Sequence, residues 1–76
     1  MEDEAELDRL QAAYKAAVEE WIKAIRAEEA LASVNRSVAE VDDWEGAHFK
    51  EEEARDVALG AKKDYEDALR RKFFDF

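Results

Sequence analysis

From residue 7 onward, apolar positions recur at alternating steps of three and four. They are Leu7, Leu10, Tyr14, Ala17, Trp21, Ala24 and Leu31, with Glu28 filling the vacant step. Val18, Ile22 and Ile25 widen this stripe on one side. A helical period places such positions on one face, so the pattern predicts an amphipathic helix over about residues 4–32. Alanines at 12, 13, 16, 17, 24, 27, 30 and 32 add intrinsic helicity and permit close approach. The acidic start, Glu2 to Asp8, suits the positive end of the helix dipole.

A second pattern governs the other half. Ala47, Ala54, Ala61 and Ala68 recur every seventh residue, Ala58 and Tyr65 fall at the complementary spacing, and Trp44 stands one step before. This is a heptad seam made mostly of methyl groups, which suits a helix lying close against another. It predicts a second helix over about residues 38–73, laced by the i,i+4 pairs Lys62–Glu66, Glu66–Arg70 and Asp67–Arg71.

Between the two patterns, Ser33-Val34-Asn35-Arg36 breaks the periodicity, and Asn35 suits a left-handed capping position. Ser37 with Glu40 has the spacing of a capping box, so the turn falls at about 33–37. A rival start lies at Asp42, with Glu45 three residues on. Gly46 follows, a candidate kink that costs roughly 1 kcal/mol relative to alanine. Two helices joined by so short a turn fold back antiparallel, and the whole chain, residues 1–76, reads as a single all-α helical hairpin. A symmetric turn pairs positions whose numbers sum to about 70, setting Ala47 near Lys23, Ala54 near Ala16 and Ala58 near Ala12. Residues beyond about 70 then overhang, and Gly46 and Gly60, roughly on one side, read as points of close backbone contact.

Composition adds one requirement. Seventy-six residues without cysteine lie near the lower limit of what one core stabilises, with no disulfide or thiolate site to help. Two helices alone cannot bury Trp21, Ile22, Ile25, Trp44, Phe49, Leu59, Leu69 and the terminal Phe73, Phe74 and Phe76, which are spread around more than one stripe. Soluble monomers avoid such exposure. The simplest closed solution is a two-fold homodimer, an antiparallel four-helix bundle. Its expected interface comprises Trp44, Ala47, Phe49, Ala54, Ala58, Ala61, Tyr65, Ala68, Phe73, Phe74 and Phe76.

Charge narrows the partners. The net charge of −9 leaves no basic face to neutralise phosphates, so nucleic acid is not an expected partner. Apolar runs are too short to span a bilayer, and the acidic start is unlike a signal peptide, so the expected location is the cytoplasm. With one histidine, no cysteine and two serines in the turn, no nucleophile–base pair assembles, and neither enzymatic activity nor a cofactor is expected. Glu45-Gly46-Ala47-His48 matches the Glu-x-x-His spacing of carboxylate-bridged metal bundles, with Glu19, Glu20, Glu28 and Glu29 as candidate partners. His48, however, lies near the turn, so two antiparallel copies hold these motifs far apart, and the expectation is no metal. Glu51-Glu52-Glu53 reads as a solvated face. The chain therefore reads as a self-association or protein-interaction module. Two alternatives stand beside it: an acidic regulator occupying a basic, DNA-binding partner, and a metal-binding bundle using Glu45 and His48.

Overall fold

The computed structural model describes residues 4–32 and 37–74. Two helices, α1 (Glu4–Ala30) and α2 (Val38–Phe74), pack antiparallel into a rod of 55 × 18 × 13 Å. The expected Asn35 cap and the terminal Phe76 lie outside the described residues. No helix among the described residues is long and apolar enough to cross a membrane.

Each helix end has a local cause. At the end of α1 the amides of Leu31 and Ala32 donate to the carbonyls of Glu28 and Glu29, at 3.1 and 3.0 Å, tightening the last turn. At the start of α2 the Ser37 hydroxyl accepts the Glu40 amide at 3.2 Å, and its carbonyl accepts the Val41 amide at 3.1 Å. Ser37, not Asp42, is thus the N-cap. Glu40 Oε2 is buried with no hydrogen-bond partner among the described residues. The helix continues unbroken through Gly46 and Gly60, because strong helix formers around each glycine outweigh its propensity cost.

The core is thin. Leu7, Ala17, Ala58 and Ala68 are buried, the last two at 1% and 0% exposure, and no large side chain is fully buried among the described residues. Leu10, Tyr14, Trp21, Ala24 and Glu28 from α1 and Ala47, Ala54, Ala61 and Tyr65 from α2 are half-buried along the seam. The Tyr14 and Tyr65 rings meet with centroids 6.4 Å apart.

The register differs from the symmetric expectation. Glu28 meets His48 and Glu4 meets Lys72, pairs whose numbers sum to 76. Helix α2 runs through its first turn before Asp42 and Asp43 line a common hollow with Leu31. The first turn is correspondingly open, with Val38 81% exposed. The overhang expected beyond residue 70 therefore shrinks. Lys72 binds Glu4, whereas Phe73 and Phe74 remain 64% and 67% exposed.

The glycines also depart from expectation. A Cβ built at Gly46 or Gly60 meets nothing within 4 Å, so neither marks a close backbone contact inside the hairpin. Among the surface ion pairs, Lys62–Glu66 and Glu66–Arg70 form at 3.8 and 3.7 Å. Asp67 takes Lys63 at 2.6 Å and Arg70 at 3.2 Å. The hydrogen bond between Lys63 and Asp67, aided by their charges, raises the ammonium pKa and lowers the carboxyl pKa. What the pair contributes is thus present at neutral pH. It is lost as pH falls through the lowered carboxyl pKa, or rises through the raised ammonium pKa. Both groups lie at the surface, so salt screens the effect.

Two outcomes follow from the open glycines and the closed seam. Gly46→Ala and Gly60→Ala should each stabilise the fold by about 0.5–1 kcal/mol. Ala58→Leu should destabilise it by about 1–3 kcal/mol through overpacking. Urea unfolding followed by circular dichroism measures both.

Candidate functional site at the turn end of the hairpin

Helix α2 sets His48, Glu51 and Glu52 on one face, at i, i+3 and i+4. Helix α1 brings Glu28 to the same level, because the register places that vacant seam position opposite the imidazole. Glu28 Oε2 lies 3.8 Å from His48 Nδ1, and Glu52 Oε1 lies 3.1 Å from Nε2. The ring is therefore flanked by a carboxylate at each nitrogen. One ligand atom each from Glu28, His48 and Glu51 lies within 4.8 Å of the others, and all three residues are half-buried.

Two tryptophans hold this group in place. Trp21 Nε1–H donates to Glu51 Oε1 at 2.8 Å across the helix interface, fixing that carboxylate beside the seam. One turn before His48, Trp44 stacks on the imidazole, centroids 5.6 Å apart and planes within 5°. The Phe49 ring lies tilted against the imidazole, centroids 5.9 Å apart. A hollow of about 340 Å³ opens beside the group, walled by Ile25, Glu29 and Trp44. On the opposite side of the hairpin a larger, mostly apolar hollow of about 710 Å³ runs between Ala24, Ala27, Leu31, Ala47 and Ala54.

The residues singled out from sequence divide accordingly. His48 and Glu28 come together, and Glu29 lines the adjoining hollow. Glu45, Glu19 and Glu20 are exposed and outside the group. The forward neighbours of His48 thus replace the backward one, because the register turns the i+3 carboxylate toward α1. Of the interface residues, Ala58 and Ala68 are buried within the hairpin, and Trp44, Phe49, Phe73 and Phe74 are exposed. Trp21 and Glu51 were not singled out as a pair; their joint level becomes readable only once the register is known.

Trp21→Phe keeps the ring and removes the donor. It should cost about 0.5–1.5 kcal/mol of stability, and measurably less when Glu51→Ala is already present. Thermal unfolding of the four proteins of that cycle gives the coupling.

Comparison with protein families, with curated protein sequences and with solved structures finds no match to this chain.

Proposed function

We propose that this hairpin is a self-association module whose working form is an antiparallel dimer, a four-helix bundle. The observation that carries this reading is the mismatch between a core of one leucine and three alanines and the apolar side chains left outside. Part of this surface is continuous along one side of the rod, where Ile22 and Ile25 share one hollow and Ile25, Trp44 and His48 share the next, while Leu31, Phe49 and Val57 stand exposed outside it. Helical steps of four, four, three and four carry that side from Trp44 through His48, Glu52 and Arg55 to the exposed Leu59. Covering each large side chain contributes about 1.5–3 kcal/mol, which a second copy supplies.

Charge supports the antiparallel arrangement. The turn-side halves of the helices, residues 18–30 and 38–57, hold twelve acidic and four basic side chains. The opposite halves, residues 4–17 and 58–74, hold six acidic and seven basic. Antiparallel copies lay the strongly acidic half of one over the near-neutral half of the other. Parallel copies set acid against acid. A two-fold axis across the middle of the rod meets both the apolar and the electrostatic requirement.

A second reading rests on the same charge distribution. Twelve carboxylates around the turn end suit a strongly basic partner protein, as in an acidic regulator of a DNA-binding protein.

Sedimentation equilibrium separates the two. The chain should dimerise, associate more tightly as salt screens the repulsion between two copies of net charge −9, and lose at least about tenfold in affinity in Ile22→Glu/Ile25→Glu, since tenfold is 1.4 kcal/mol. A chain that stays monomeric at every concentration, yet binds a basic DNA-binding domain in a salt-dependent way, would establish the second reading instead.

A further inference from the structure

We propose that Glu28, His48 and Glu51 form a binding site for one divalent transition-metal ion, with zinc the best match, clasping α1 to α2 near the turn. The site differs from the Glu45–His48 motif of the sequence, since Glu45 lies outside the group. It is also complete within one chain, so it stands or falls apart from dimerisation.

Donor chemistry is the first argument. One imidazole nitrogen and two carboxylate oxygens are a borderline N/O set that suits zinc, with water at the remaining position. Metal–ligand bonds of about 2.0–2.2 Å place tetrahedral ligands about 3.3 Å apart. The three ligand atoms, already within 4.8 Å of one another on half-buried side chains, have only a short distance to close.

Orientation is the second. The Glu52 carboxylate beside Nε2 favours the proton on that nitrogen, leaving the Nδ1 lone pair toward Glu28. The Trp21 hydrogen bond orients Glu51, and the Trp44 stack sets the plane of the imidazole. Outer partners of this kind normally accompany metal ligands.

Local electrostatics is the third and is independent of the other two. Glu28 and Glu29 occupy the last turn of α1, which holds no basic residue, and the helix dipole there disfavours negative charge. Glu51 and Glu52 add two more carboxylates at the same level. A dication between the helices relieves this crowding. Its binding free energy also becomes folding free energy for a chain with so small a core.

The test uses the full chain stripped with chelator. Zinc is titrated calorimetrically, and nickel is titrated against tryptophan fluorescence, which Trp44 and Trp21 make a local reporter. One zinc per chain is expected, with an upward shift in melting temperature. Glu28→Gln and His48→Gln, each verified as helical, should weaken zinc by more than about tenfold, while Glu45→Gln leaves it unchanged. Nickel quenching should saturate at one ion per chain and reverse on chelation, which tests the site in the unsubstituted protein. Absence of saturable binding at millimolar zinc overturns the proposal. So does binding that survives both Glu28→Gln and His48→Gln, which would mark diffuse attraction to an acidic surface.

Discussion

The close approach of two helices over alanine is the constraint from which the rest of the molecule follows. A methyl group lets backbones come together and yields little burial in return, so Ala17, Ala58 and Ala68 define the geometry without supplying much stability. Leu7 is buried there and Leu10, Tyr14, Trp21 and Tyr65 enter the seam in part, but it has no room for other large apolar side chains. They are displaced to its flanks, where Ile22, Ile25 and Leu59 stand exposed. Tightness inside and stickiness outside are one packing decision seen from two sides.

At the turn end the same narrow seam has a chemical effect. Helices this close bring Glu28 against His48 and Trp21 against Glu51, side chains that wider packing would leave to solvent. Carboxylates there gain aromatic neighbours instead of lysines. The opposite end is built otherwise, with Lys72 on Glu4 and paired lysines, arginines and acids along α2. The rod is chemically unlike at its two ends although it is structurally uniform along its length.

Much of the fold was legible in the chain. The three-and-four spacing from Leu7 to Glu28 marked the inward face of α1, though Leu31 beyond it is exposed, and Ser37 with Glu40 marked the start of α2. The register was not legible, because it depends on how far α2 runs before meeting α1, and no local pattern encodes that distance. The error passed directly to the site. A pairing six positions off puts His48 level with Ile22 instead of Glu28, and the Glu45-x-x-His48 spacing points backward along the helix, away from Glu51. The glycines misled for a related reason. Gly46 and Gly60 suggested close contact, yet open space surrounds both, so their freedom from side chains has no cause within the hairpin.

The contact between Glu4 and Lys72 has a consequence for chain topology. It sets the outer ends of both helices side by side, at one end of a rod 55 Å long. If two hairpins were joined covalently in tandem, parallel copies would need only a few linking residues. Antiparallel copies would need a linker spanning nearly the whole rod, about 15 residues at 3.3–3.6 Å each. The minimum linker length for a folded single-chain bundle therefore acts as a molecular ruler for how two hairpins lie against each other.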